Sequence, residues 1–131
     1  MSNKVAIIAA NGGLFDAYKV FNIATAAAAT NKEVAIFFTF EGLNLIHKEA
    51  MHALPLPAGK EAMAEGFKQA NVPSIPELVE MAQDLGVTMI ACQMTMDVMG
   101  LGKEAFIDGI EVGGAVTFLE FAKDAAPSLS F

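Results

Sequence analysis

The chain has 131 residues, of which 54% are apolar and only 18% charged, with a mean hydropathy of +0.46; these values exclude disorder and predict a single domain, residues 1–131, around one sizeable core. Fifteen carboxylates against eight lysines and no arginine give a net charge of −7, which excludes ordinary nucleic-acid binding and disfavours anionic membrane surfaces. Cys92 is the single cysteine, so an intrachain disulfide and a cysteine-rich zinc site are excluded and a reducing cytoplasm is the expected compartment.

Met1–Ala10 carries no signal-cleavage pattern and leads straight into Asn11-Gly12-Gly13. Leu85–Met96 is uncharged but well short of the roughly 20 residues of a membrane-spanning helix, so a soluble protein is expected. Val5–Ala10 is a continuous apolar run that suits a strand buried on both faces. Asp16–Thr30 follows as a helix, with Ala17, Val20, Phe21, Ala24, Ala27 and Ala28 on one stripe. Val34–Phe40 reads as a second buried strand and Leu43–His52 as a second helix. Met51–Pro73 is irregular around Leu54-Pro55-Leu56-Pro57, with a short helix over Lys60–Ala70, and is expected to form a mobile insertion or flap.

Ser74-Ile75-Pro76-Glu77 is a capping box that opens a helix running to Leu85 and stopping at Gly86. Val87–Ala91 is a third strand, with Cys92 just past its carboxyl end. Gln93–Leu101 is a methionine-rich loop, Lys103–Gly109 a short helix and Ile110–Val112 a brief fourth strand. Gly113–Lys123 is a helix stopped by Pro127, and Ser128–Phe131 a short final strand. The alternation predicts a three-layer α/β/α sandwich with a mainly parallel sheet of about five strands. The low share of charged residues further predicts a subunit that buries surface in a homo-oligomer.

In open parallel sheets, ligands bind beyond the carboxyl ends of the strands, which here selects Asn11–Phe15, Thr39–Gly42 and Cys92–Gly102. Two readings of Cys92 stand. It is either a thiolate helped by the N–H groups of a following helix, or an inert, buried, small hydrophobe; exposure at the strand rim favours the first and burial the second. His47 and His52 are five apart and do not share a helix face, and no local signature makes a Cys-His dyad. Cys92, Met94 and Met96 offer three soft sulfurs, a Cu(I) set in principle, although methionine more often fills core gaps or adaptable interfaces. Asn11-Gly12-Gly13 offers backbone N–H groups to an anion but is not a dinucleotide fingerprint. Gly100-Leu101-Gly102-Lys103 lacks the spacing of a phosphate-binding loop, and Gly113-Gly114 serves close packing. Glu41, Asp97 and Asp108 are read as caps, turn residues or solvated charges.

Ala91-Cys92-Gln93-Met94-Thr95-Met96-Asp97-Val98-Met99-Gly100 resembles the A-C-x-M-[ST]-M-D-x-M-G stretch of the DsrE/DsrF-like family, in its peroxiredoxin-like subgroup. Asp108-Gly109-Ile110-Glu111-Val112-Gly113-Gly114-Ala115 is similar to that subgroup's D-G-[IV]-E-x-G-G-[AV] segment, and Phe37–Leu43 to its second strand and turn. The resemblance spans essentially the whole chain. It implies a small α/β/α domain assembled into trimers or hexamers and a role in moving sulfane sulfur. Cys92 would be the acceptor, loaded as a persulfide or thiosulfonate from small sulfur donors and unloaded onto a TusA-like or rhodanese-type partner. Asn11, Gly12, Gly13, Thr39, Glu41, Gly42, Met94, Met96 and Met99 would surround the sulfur. No cofactor and no metal is expected. Met99–Gly102 holds no second cysteine, so release needs an external thiol or a partner. The Thr-x-x-Cys motif of thiol peroxidases is absent.

Overall fold

The computed structural model describes residues 3–131. Five strands form one sheet: β1 (Lys4–Ala9), β2 (Glu33–Phe38), β3 (Thr88–Cys92), β4 (Glu111–Gly113) and β5 (Ser128–Ser130). Their order across the sheet is β4-β3-β2-β1-β5, and every pairing is parallel. The helices are α1 (Leu14–Ala29), α2 (Met63–Gln69), α3 (Ile75–Asp84), α4 (Gln93–Met99) and α5 (Ala115–Ala122).

From β1 to β4 the chain steps one strand at a time in one direction. The connection from β4 reverses and crosses to β5, beyond β1. Parallel crossovers are right-handed, so reversal of direction sends the connecting helix to the opposite face. Accordingly α1 and α3 pack together on one face, and α5 lies alone on the other. The result is the three-layer sandwich that the alternation predicts.

Adjacent residues of β2 serve the two cores. Phe38 is fully buried against Phe21 of α1, whereas Phe37 stacks on Phe118 of α5 with ring centroids 5.3 Å apart. The α1 face holds most of the core, including Ile7, Val20, Ile36, Val79, Met89 and Met96. The α5 face is smaller: Ala6, Phe37, Ile90, Cys92 and Phe118. α5 leaves Val116 and Leu119 exposed by 75% and 61%.

The capping box stands as read, with Glu77 N–H donating to Ser74 Oγ at 3.3 Å and Ser74 N–H to Glu77 Oε1 at 3.4 Å. Gly86 follows α3 at φ +87°, a left-handed conformation suited to glycine. Four expectations are corrected. Leu43–His52 is not an α-helix but two 3₁₀ turns, Phe40–Leu45 and Ala50–His52. The backbone there is spent elsewhere: Ile107 N–H donates to Ile46 O, Lys48 N–H to Ala105 O, and the N–H groups of Glu49 and Ala50 to His47 Nδ1. Conversely, the methionine-rich segment after Cys92 is helix α4, with Gln93 Nε2 donating to Asp97 Oδ1 at 2.9 Å. Gly100, at φ +69°, ends it, and Leu101 N–H closes back on Met96 O. Between Lys103 and Gly109 only a 3₁₀ turn forms, Lys103–Ala105, and α5 begins at Ala115 because Gly113 belongs to β4.

The irregular segment lies along α1. Leu14 N–H donates to Pro55 O at 2.8 Å, and Phe67 of α2 stacks on Tyr18 with centroids 4.8 Å apart. α2 buries no residue of its own. No helix among the described residues is long and apolar enough to cross a membrane.

Candidate functional site

Cys92 is the last residue of β3 and the N-cap of α4. Strand alternation turns its side chain to the α5 face beside Ile90, Phe37 and Phe118, where it is 5% exposed. The register of β2 on β3 sets Phe38 level with Ala91, so Thr39, one residue further along, arrives beside Cys92. Thr95, in the first turn of α4, is 1% exposed and the one buried polar side chain of the described core.

These residues form a small polar network. Thr39 Oγ1 and Thr95 Oγ1 are 3.2 Å apart, and Phe40 N–H donates to Thr95 Oγ1 at 3.2 Å. Phe40 sits at φ +50°, a conformation costly for a non-glycine residue, while its ring is 56% exposed. The turn that imposes this is also tight at Gly42, where a Cβ would collide with the carbonyl of Ala9. Thr39 N–H donates to that same Ala9 carbonyl at 3.0 Å, which ties the end of β2 to the end of β1.

Burial by itself pushes the Cys92 thiol up. The hydroxyl and N–H of Thr95, the hydroxyl of Thr39 and the N–H of Met94 outweigh it and hold the thiol below its ordinary value. The sulfur makes no short capping bond to α4, so the N–H groups act as oriented dipoles at longer range. The inward-facing donors favour a sulfur anion over a neutral thiol, against the apolar wall, which by itself favours the thiol.

The other residues singled out in the sequence divide among different places. Asn11, Gly12, Gly13 and Glu41 line a cleft of about 310 Å³ with Asp16, Asn44 and Pro55–Pro57, and Cys92 is not among its walls. The α1 N-terminus in this cleft already holds a carboxylate, since Gly13 N–H donates to Asp16 Oδ2 at 3.2 Å. Gly42 is buried against β1 rather than facing a cavity. Of the methionines, Met96 is 2% exposed in the core on the α1 face, whereas Met94 and Met99 are 59% and 43% exposed. Helix α4 therefore separates the sulfurs of Cys92, Met94 and Met96 instead of converging them. Among the described residues no group of three or more His, Cys, Asp or Glu is placed to hold a metal. His47 Nδ1 accepts from backbone, and His52 is exposed.

Thr95 is the residue that reading the sequence passed over. Its signal was there: N-cap and N3 positions face each other, so a cysteine followed three residues later by threonine sets a hydroxyl toward the sulfur. Once the methionine run is read as loop, that spacing carries no meaning.

A parallel α/β/α domain with one shielded thiol, surrounded by donors at the carboxyl end of an interior strand, defines a class of small thiol-bearing α/β proteins. The pattern of the DsrE/DsrF/DrsH-like family matches residues 1–58 and 56–129. The chain belongs to that family. It is 38% identical to the sulfur carrier protein DsrE2 of Allochromatium vinosum, over 93% of this chain and 94% of that one. It is 30% identical to the uncharacterized protein YrkE of Bacillus subtilis, over 98% and 96%. Among solved structures the fold matches the ychN protein of E. coli, with TM-score 0.65, 20% identity and all of both chains covered. It also matches BT1422 of Bacteroides thetaiotaomicron, with TM-score 0.66, 14% identity, and 98% and 95% covered.

Proposed function

We propose that this protein is a sulfur-relay carrier in which Cys92 accepts sulfane sulfur and hands it to a partner. The observation that carries this reading is the ring of donors around a buried sulfur: the hydroxyls of Thr39 and Thr95 and the N–H groups of Met94 and Thr95. The 38% identity to a sulfur carrier over nearly the whole length supports it.

The chemistry needs no redox partner. The Cys92 thiolate attacks the outer sulfur of a persulfide donor, the donor's S–S bond breaks, and its inner sulfur leaves as a thiolate. With thiosulfate, sulfite leaves instead. Cys92 then bears a persulfide, and attack on its outer sulfur by an acceptor thiolate returns Cys92 to its starting form. With a single cysteine in the chain, that acceptor lies on another molecule, a TusA-like or rhodanese-type protein. Thr39 orients the sulfur. The neighbouring cleft at Asn11, Gly12, Gly13 and Glu41 receives groups of the donor or partner, and Met94 and Met99 form an exposed apolar rim. The working unit is a trimer or hexamer in the cytoplasm, joined in part through the exposed Val116 and Leu119.

The test is intact mass spectrometry after incubation with polysulfide, glutathione persulfide or thiosulfate, with and without dithiothreitol. A reducible gain of one sulfur atom, absent in Cys92→Ser, is expected; a thiosulfonate gained from tetrathionate, whose central S–S bond the Cys92 thiolate breaks with loss of thiosulfate, identifies the alternative cargo. Absence of any adduct with every donor overturns the reading. The 5% exposure of Cys92 favours a second reading, an oligomeric binding or regulatory protein with an inert cysteine. In that case iodoacetamide modifies Cys92 only when the protein unfolds.

A further inference from the structure

Two hydroxyl hydrogens serve the Thr39–Thr95–Cys92 cluster. A threonine hydroxyl has one hydrogen and two acceptor sites. The 3.2 Å link between the two Oγ1 atoms uses one hydrogen, whichever residue donates it. Phe40 N–H fills an acceptor site on Thr95. If Thr39 donates, both acceptor sites of Thr95 are taken and its hydrogen stays outside these links; if Thr95 donates, the hydrogen of Thr39 does. In either arrangement one hydroxyl hydrogen of the pair is uncommitted within the cluster, next to Cys92, which shares helix α4 with Thr95 as N-cap and N3. Thr95 is the member of the pair that is fixed on both sides, by helix α4 and by the strained Phe40 backbone at φ +50°.

We propose that Thr95 is a positioning residue for sulfur transfer, its hydroxyl pinned from behind by Phe40 N–H and coupled to Thr39 so that the pair presents a hydrogen-bond donor to the Cys92 sulfur. The inference rests on the carrier reading above and names what holds the sulfur of that site. A spare hydroxyl hydrogen suits a sulfur that accepts: the thiolate before loading, and the inner sulfur of the persulfide after it. The lowered position of the thiol agrees with this arrangement. Thr95 does not touch the incoming donor in this account; it acts through Cys92.

The test compares Thr95→Val, which keeps the shape and removes the hydroxyl, with Thr95→Ser, which keeps the hydroxyl. Two readouts are taken on the full chain: the pH profile of Cys92 alkylation by iodoacetamide, and the rate of sulfur loading from polysulfide at neutral pH. Thr95→Val is expected to move the alkylation profile to higher pH and slow loading on the order of tenfold, the loss of one hydrogen bond to a charged group. Thr95→Ser is expected to restore both. A Thr95→Val profile that coincides with wild type overturns the proposal. Unfolding of Thr95→Val would be seen by circular dichroism and would speed alkylation, the opposite sign; the pair Thr95→Ser and Thr39→Val then decides, with an unshifted Thr39→Val profile overturning it. If wild type takes up no sulfur, the carrier reading fails, and the alkylation profile alone still decides the role of Thr95.

Discussion

Thr39 and Thr95 are 56 positions apart in the chain, yet their hydroxyl oxygens lie 3.2 Å from each other beside Cys92. The contact exists because β2 and β3 are parallel neighbours whose register brings their carboxyl ends level. A turn after β2 and a helix after β3 then deliver one hydroxyl each.

The reactivity of Cys92 follows a sign that can be worked through. Its thiol lies below the ordinary value in the folded chain, because donors outweigh burial. Ionisation therefore contributes stability that is full above the unfolded pKa and is lost as the pH falls through the folded one. Alkylation by iodoacetamide in the native protein should reach half its maximal rate below the pH found for the same chain in denaturant. In parallel, the stability gap between wild type and Cys92→Ser in urea should widen as the pH rises from 7 to about 9.

Gly42 holds the turn that carries Thr39 and Phe40. A methyl group at this position meets the Ala9 carbonyl, which belongs to the backbone of the central sheet and has little room to move. Gly42→Ala should cost about 1–3 kcal/mol, as for overpacking of a well-filled core. Urea denaturation measures the loss, and the alkylation profile of Cys92 should shift with it because Thr39 is displaced.

The two faces of the sheet differ in how much they hold. Phe38 and Phe21 are fully buried under α1, so Phe38→Ala should destabilise by about 3–5 kcal/mol. Phe118→Ala empties the contact of α5 with Phe37 near Cys92, and should also speed Cys92 alkylation. Thermal melts and alkylation rates on the two variants separate these effects.

Ser74 caps α3 from an exposed position, so its substitution isolates the cap. Ser74→Ala should cost about 1 kcal/mol in urea denaturation and leave Cys92 alkylation in the native state unchanged.

Assembly is expected to use the bare side of α5. Val116 and Leu119 are exposed by 75% and 61% on a helix that alone covers its face of the sheet. Sedimentation of the wild type should give a trimer or hexamer, and Leu119→Glu should shift it toward smaller species without loss of helix signal. A wild type that sediments as a stable monomer contradicts the proposed assembly.

The layer order was legible because parallel sheets bury strands on both faces and leave short apolar runs such as Val5–Ala10 and Val34–Phe40 unbroken by charge. The cap at Ser74 and the stop at Gly86 were equally local and equally legible. Errors gathered where backbone groups find distant partners. The stretch Leu43–His52 looks helical by itself, but Lys48 N–H and Ile46 C=O at its middle pair with Ala105 and Ile107, about 60 residues onward. Gln93–Met99 looked like a loop because its methionines obey no single stripe: Met96 faces the core and Met94 faces outward.

Sequence alone determined that a lone cysteine would stand at the carboxyl end of a buried strand, since strand length, composition and the family's motif are all local properties of the chain. Only the tertiary structure decided what surrounds the sulfur. It turned Cys92 toward the α5 face, sent Met96 to the other, and put the cleft of Asn11, Gly13 and Glu41 apart from the thiol. The physical reason is the alternation of strand side chains combined with register: a shift of one residue of β2 along β3 would put Phe38 or Phe40 in place of the Thr39 hydroxyl beside Cys92.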